Sequence, residues 1–322
     1  MFSATASSTS ADDPLSGLTL GDHPDPEVPE GWVAVSVRAA ALNHHDIWTL
    51  RGIGIRDEQL PIVLGCDAAG VLADGSEVVV HAVIGDPDAG GGDETLDPKR
   101  SLLSEKYDGT FAETVVVPRR NVIPKPAALS FEEAACLPTA WLTAYRMLFT
   151  KAGLRPGDTV LIQGAGGGVS SAAIALARAA GYRVWVTSRT EAKRERALSL
   201  GAHGAFESGA RLPDRVDVVL ESVGEATWSH SLKSLRPGGR IVTCGATTGM
   251  NPPAELNRVF FTQLEVVGST MGTAGELRGL LQFLEVTGVR PTIDVAMPLK
   301  DARAGFERML ADDQFGKIVF TL

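Results

Sequence analysis

Two textures of apolar and polar positions divide the chain. From about Gly31 to Arg120 the apolar positions come in short, alternating or branched runs. Alternation in 33-VAVSVRAAAL-42, and the runs 77-EVVVHAVI-84 and 111-FAETVVV-117, predict half-buried strands. The stretch 85–110 between them is rich in Gly, Asp and Pro and reads as a surface lobe. From Thr159 onward, continuous apolar runs alternate with helical patterns. Strands are predicted at 159-TVLIQG-164, 183-RVWVTS-188, 216-VDVVLE-221, 239-GRIVTCG-245 and 264-LEVVGS-269. Helices are predicted at 169–181, ending on a Gly suited to the residue after a helix, and at 190–202. Apolar strands separated by helices point to a parallel sheet covered on both faces. The segments 291–310 and 315–322 return to strand, helix and strand, and no internal repeat is present. Residues 1–14, small and polar, are expected to form a disordered tail.

Composition narrows the class. At 322 residues the chain has room for two domains of roughly 150 residues each. With 44% hydrophobic and 21% charged residues it is an ordinary globular chain, which excludes collagen, coiled coil and general disorder. Thirty Lys and Arg against 39 Asp and Glu give a net charge of −9, so no general nucleic-acid binding is expected. Cys66, Cys136 and Cys244 are scattered and odd in number, which favours a reducing, cytoplasmic setting over a disulfide scaffold. No apolar run is long enough to span a membrane, and the N-terminus lacks the basic start and apolar stretch of a signal peptide.

The stretch carrying most chemical information is 160-VLIQGAGGGVSSAAIALARAAGYRVWVTSRTEAKR-194. An apolar strand enters a turn with four Gly in five residues and passes directly into a helix. Glycine lets the backbone turn sharply and approach a ligand, and the helix N-terminus offers N–H groups and a positive dipole end to a pyrophosphate. In the register of GxGxxG the positions are Ala165, Gly167 and Ser170, so small residues replace two of the glycines. The motif is weak alone and strong between a strand and a helix, with a second strand following. Candidate contacts are Ala165, Gly166, Gly167, Gly168 and Val169. At the end of the second strand a dinucleotide with a free ribose would meet Asp or Glu. Here stand Thr187, Ser188, Arg189 and Thr190, with Lys193 a helical turn on, and Glu191 is expected to point outward. Ser188, Arg189 and Lys193 suit a 2′-phosphate, so the expected cofactor is NADPH.

With these segments the chain resembles the medium-chain dehydrogenase/reductase superfamily, in particular its zinc-free, quinone-oxidoreductase-like branch. The matching segments include 38-RAAALNHHD-46, 61-PIVLGCDAAG-70, 137-LPTAWLTAY-145, 217-DVVLESVG-224, 235-LRPGGRIVTCG-245, 268-GSTMG-272 and 315-FGKIV-319. The resemblance implies an α/β fold in which a doubly wound Rossmann sheet is inserted into a GroES-like, β-rich catalytic domain. The expected bounds are 15–122 completed by 293–322 for the catalytic domain, and 123–292 for the NADP-binding domain. It further implies an active site in the cleft between them and a homodimer or homotetramer joined through the Rossmann domains, for which 289–297 is a candidate seam.

The family's zinc question is decided by residues. Its catalytic zinc positions fall on Asn43, Cys66 and Thr139, and only one of these offers sulfur. The lobe that carries four Cys for a structural zinc elsewhere in the family has none here. No metal is therefore expected, and an irregular site from His44, His45, Cys66 and Asp67 is the alternative. Catalysis then falls to donors that meet charge developing on a carbonyl oxygen. By the resemblance, Asn43 would present its amide to that oxygen and His45 would donate a proton. Asp46 would pair with Lys317, whose alternative partner is a cofactor phosphate. Thr139, Thr143, Val223, Gly245, Ala246 and Met271 would line the nicotinamide. Cys244 reads as a small core residue. Trp48, Cys66, Trp141 and Phe261 would border an apolar substrate pocket. The expected partner is a small carbonyl, enone or quinone. A zinc alcohol dehydrogenase with unusual ligands, and a crystallin-like nucleotide- or RNA-binding protein, are the competing readings.

Overall fold

The computed structural model describes residues 1–322. The chain forms two compact units: Met1–Leu142 together with Met271–Leu322, and Thr143–Thr270.

The first unit is built on a seven-stranded sheet with Trp32–Ala41 near its centre. Val33, Val35 and Val37 of this strand point into the core, as its alternation requires. Phe111 packs edge-on against Phe306 and Phe320 in that core. The last strand of the chain, Lys317–Thr321, pairs antiparallel with the central strand, Val319 opposite Ala41. On the other side Asp67–Val71 pairs with the same strand, Asp67 opposite Ala41. One strand end thus gathers Asn43, Asp67 and Lys317 from three distant parts of the sequence.

The N-terminus is not a disordered tail. Phe2–Ala6 is a strand paired with Leu18–Asp22 and with Ile62–Val63, and Ala4 and Ala6 are fully buried. The strand uses Ser, Ala and Thr where larger apolar residues would have revealed it, because small side chains fit its closely covered inner face. The lobe at 85–110 is mostly turns, with Ser101–Leu102 paired to Val83–Ile84. Glu94 ties it to the start of the Ala274–Thr287 helix by accepting from the Ala274 N–H at 2.6 Å. That helix, and residues 123–142, cluster with the first unit, so the sheet-bearing second unit is shorter than the 123–292 expected.

The second unit carries six parallel strands. Their order across the sheet is Gly204–Glu207, Arg183–Ser188, Thr159–Ile162, Val216–Glu221, Leu235–Thr243 and Glu265–Gly268. This is the doubly wound order, with its reversal between Thr159–Ile162 and Val216–Glu221. Ligands in such sheets bind beyond the carboxyl ends of the strands at that reversal. The predicted strands and both predicted helices are present, to within a few residues at their ends. No helix in the chain is long and apolar enough to cross a membrane.

Candidate functional site

At the reversal the glycine-rich turn has the conformation its sequence requires. Gly164 and Gly166 both have positive φ, 72° and 130°. A Cβ on Gly164 would lie 2.6 Å from the Val223 side chain, and one on Gly166 would lie 2.8 Å from Cδ of Lys193. Ser170, in the third glycine's place, closes the turn: its hydroxyl accepts from the Gly166 N–H at 3.1 Å and donates to the Gly167 carbonyl at 3.0 Å. The Ala165 N–H ties the turn to the second strand through the Thr187 carbonyl at 2.8 Å. Gly167 begins the Gly168–Ala179 helix, and no side chain caps it. Its first N–H groups and dipole end suit a pyrophosphate.

A buried polar network fixes the turn from below. Gln163 donates to Ser231 Oγ at 2.9 Å and accepts from the Thr187 hydroxyl. Glu221 accepts from the N–H groups of Val223 and Gly224 at 2.8 and 3.0 Å, and from Thr227 and Ser231. The ends of the two strands flanking the reversal are therefore joined through Ser231. Neither Gln163 nor Glu221 stands out in the sequence; the signal was a polar residue closing each of two otherwise apolar strands. Residues 222–224 pack on 244–248, with Thr248 N–H donating to the Val223 carbonyl at 2.8 Å. Val223, Gly245 and Ala246 thus share the carboxyl end of this sheet. Cys244 beside them is half-buried, and burial, with Glu221 near it, pushes its thiol up to about 12.

At the tip of the second strand Ser188 is buried and Arg189 is exposed. Lys193 lies along Gly166, and Arg194 donates to the Ser188 carbonyl at 3.0 Å. The rim is cationic, although Glu207 on the neighbouring strand pairs in register with Ser188. Thr143 opens this unit and is buried, whereas Thr139 and Met271 belong to the first unit. Met271 packs with Cys66, Ala82 and Val83 there.

In the first unit the candidate catalytic residues form two clusters. Lys317 is almost fully buried and donates to the Leu42 carbonyl (2.8 Å), Asn43 Oδ1 (2.6 Å) and Asp67 Oδ2 (2.9 Å). Three acceptors consume its three protons. Lys317 thus pairs with Asp67, not Asp46, and has no donor left for a cofactor phosphate. Asn43 is equally committed: its amide nitrogen donates to the Ala41 carbonyl at 3.1 Å and Asp67 Oδ2 at 2.9 Å. It positions the loop and does not reach toward a substrate oxygen. Asp46 accepts from the N–H groups of Asn43 and Gly65, both at 2.9 Å. Burial pushes its carboxyl up to about 6, against the pull of His45 and these N–H groups. It holds the start of the His44–Leu50 helix in place.

His45 is the one member with reach. Its ring is 17% exposed, with Nε2 3.2 Å from Glu105 Oε1 and Nδ1 3.4 Å from Cys66 Sγ. Burial works against charging the ring; the Cys66 sulfur and the Glu105 carboxylate more than offset it and hold the imidazole well above its ordinary range. The Cys66 thiol donates to the Leu103 carbonyl at 3.1 Å, and burial pushes it up to about 11. Glu105, inside the lobe, escaped the sequence reading because nothing local marks it. His44 is exposed. Trp141 is fully buried, and Phe261 is 79% exposed with its ring tilted against Phe260. Trp48 is half-buried on the His44–Leu50 helix.

The residues do not fit a catalytic zinc. An ammonium already stands 2.6 Å from Asn43 Oδ1 and would repel a second cation. The ligand atoms of His45, Asp46 and Cys66 lie within 4.8 Å of one another, yet each is engaged as described. Asp67 keeps one oxygen without a partner, but its other oxygen is bound by Lys317.

Comparison with known proteins gives two family matches. Residues 29–127 match the alcohol dehydrogenase GroES-like domain, and residues 168–286 match the zinc-binding dehydrogenase family. An acryloyl-coenzyme A reductase of Metallosphaera sedula is 30% identical over 326 residues, covering 95% of this chain and 96% of the relative. An NAD-dependent alcohol dehydrogenase structure superposes with a TM-score of 0.90 at 34% identity, covering all of both chains. A crotonyl-CoA carboxylase/reductase in complex with NADP superposes with a TM-score of 0.91 at 25% identity, covering 100% of this chain and 95% of that one.

Two outcomes follow from this geometry. Gly166→Val places a branched side chain at positive φ against Lys193, and should weaken dinucleotide binding at least about tenfold with the fold intact. Fluorescence titration with reduced dinucleotide checks this. Lys317→Met leaves Asp67 charged and uncompensated, and should lower unfolding stability by about 3–5 kcal/mol in denaturant titrations.

Proposed function

Because the chain belongs to the medium-chain dehydrogenase/reductase superfamily and is an oxidoreductase of that type, we propose that it passes hydride from NADPH to an activated carbonyl compound. The acceptor class is a quinone, an enone or another conjugated carbonyl, enoyl thioesters included, and no catalytic zinc takes part. The observation that carries the reading is the uncapped helix N-terminus behind Gly164–Gly168, rimmed by Arg189, Lys193 and Arg194. Carboxylate recognition of a free ribose is missing from the tip of the second strand, and cations take its place. The NADP complex of a similar reductase supports this choice. The acryloyl-coenzyme A reductase supports a conjugated acceptor.

When bound, the nicotinamide supplies the hydride. The chain's own residues do the rest. The turn and helix end hold the pyrophosphate, while Arg189 and Lys193 select the 2′-phosphate. Asn43, Asp67 and Lys317 fix the backbone that enters the His44–Leu50 helix, and Asp46 fixes its first turn. His45 on that turn delivers the proton that balances the added hydride. A second reading, an NADH-dependent alcohol dehydrogenase, draws on Glu207 beside Ser188 and on the similar NAD-dependent enzyme.

Substrate assays with NADPH and NADH against quinones, enones, enoyl thioesters and simple alcohols separate the two. Arg189→Asp should weaken NADPH far more than NADH; equal loss for both refutes the 2′-phosphate assignment. His45→Asn should lower kcat by about 10²-fold or more while leaving NADPH affinity near wild type. An unchanged rate would remove His45 from the proton step.

A further inference from the structure

Met271 is the residue at which the chain returns to the first unit. Its φ is +48°, in the left-handed region that residues with a Cβ seldom adopt. Glycine would take this conformation freely. The position nevertheless holds a long apolar side chain, buried against Cys66, Ala82 and Val83. Cys66 Sγ in turn lies 3.4 Å from Nδ1 of His45. The thioether is thus separated from the imidazole by a single side chain, and it is kept there against the preference of its own backbone.

Such a conformation persists where the surroundings over-determine it. Here they do. The Gly272 carbonyl accepts from His81 Nε2 at 2.9 Å, and because a carbonyl only accepts, that nitrogen carries the proton. The Ala274 N–H donates to Glu94 Oε1 at 2.6 Å. Gly272 has no room to shift, since a Cβ on it would lie 2.7 Å from Leu142 Cγ. His81 is itself anchored from behind. Its N–H donates to the Asn121 carbonyl at 2.7 Å, and its own carbonyl accepts from Asn121 Nδ2 at 2.8 Å. The Glu94 oxygen that meets Ala274 is 4.0 Å from His81 Nδ1, so the two holds adjoin. The helix that follows already has the ordinary means of starting: Thr273 and Glu276 cap it reciprocally, at 2.8 and 3.0 Å. His81 and Glu94 reach the segment from 191 and 180 positions away, and what they add is a fixed approach to that helix.

We propose, on the reading that the acceptor is reduced beside His45, that His81 and Glu94 are positioning residues that clamp Met271 in its left-handed conformation. Met271 then serves as a buttress behind Cys66 and sets where the His45 ring stands. An unbranched thioether fills an irregular gap closely. With the clamp released, the backbone at Met271 relaxes, Cys66 loses its backing and the ring gains freedom to drift from the acceptor. The lobe at 85–110 takes part through Glu94, and the end of the Glu77–Val80 strand through His81.

NMR of full-length protein labelled at the methionine methyls reads the clamp without any substrate. Six signals are expected, and that of Met271 is identified by its loss in Met271→Leu. His81→Leu removes the donor to Gly272, and Glu94→Met removes the acceptor for Ala274. In each, the Met271 methyl should shift or broaden while the other buried methionines, Met147 and Met309, keep their signals. His81→Gln retains an N–H donor of similar reach and should recover the wild-type signal. In assays with NADPH and a conjugated carbonyl, His81→Leu and Met271→Ala should each lower kcat by about tenfold or more. Affinity for NADPH should stay within about twofold of wild type, and His81→Gln should restore most of the rate. A Met271 methyl unmoved in His81→Leu overturns the clamp. A wild-type kcat in Met271→Ala overturns the buttress, as does a rate that His81→Gln fails to restore. If His81→Leu does not fold, Glu94→Met and Met271→Ala decide the same two points. If the wild-type protein reduces no acceptor, the hydride-transfer reading fails, and the methyl signals alone judge the hold on Met271.

Discussion

A single buried ammonium organises the first unit. Lys317 comes from the last strand, Asp67 from a strand two hundred and fifty positions earlier, and Asn43 from the loop leaving the central strand. Taking an ammonium and a carboxylate out of water costs several kcal/mol each, and the pair is tolerated only because every proton of Lys317 has an acceptor. That requirement has a geometric consequence. The two outer strands must register on the central one so that Asp67 and Val319 both face Ala41. The end of the chain is thereby locked to its beginning. The helix entering at His44 starts from a backbone that three separate segments agree upon.

The second unit fixes its turn with a buried hydrogen-bond network gathered on a carboxylate. Its glycine turn must leave helix N–H groups open, so nothing on the turn itself can anchor it strongly. The anchoring is moved underneath, to Gln163, Glu221 and Ser231, where hydrogen bonds in a dry interior satisfy one another. A rigid floor with an open top suits a seat for a charged ligand: the ligand's phosphates replace water without the turn having to reorganise.

Much of this was legible in the sequence, for reasons that can be named. The strands at 159–162 and 216–221 are mostly apolar, β-branched runs of strand length, so composition and length gave them away. The helix after the glycine turn followed from Ala-rich periodicity. What escaped depended on long-range contact. The first strand, Phe2–Ala6, is made of small residues whose burial is visible only once its partners at 18–22 and 62–63 are in place. Asp46 and Asp67 are both carboxylates near Asn43, and sequence spacing cannot say which one Lys317 chooses; strand register decides for Asp67. Glu105 lies in a lobe with no periodicity, so its approach to His45 had no local signature. Trp141 and Phe261 were assigned by type to an apolar pocket, yet one is sealed in the core and the other faces water.

The same ammonium bears on the proton delivery proposed for this site. A metal in its place would present a net positive charge to developing negative charge on an acceptor oxygen. Lys317 cannot, because Asp67 neutralises it and Asn43 and Leu42 absorb what remains of its field as hydrogen bonds. The first unit thus carries a fixed cation that stabilises structure and contributes little electrostatic pull outward. In the proposed reaction, charge building on an acceptor is met by another group, and His45 on the adjoining helix turn, partly exposed, is the residue proposed for it.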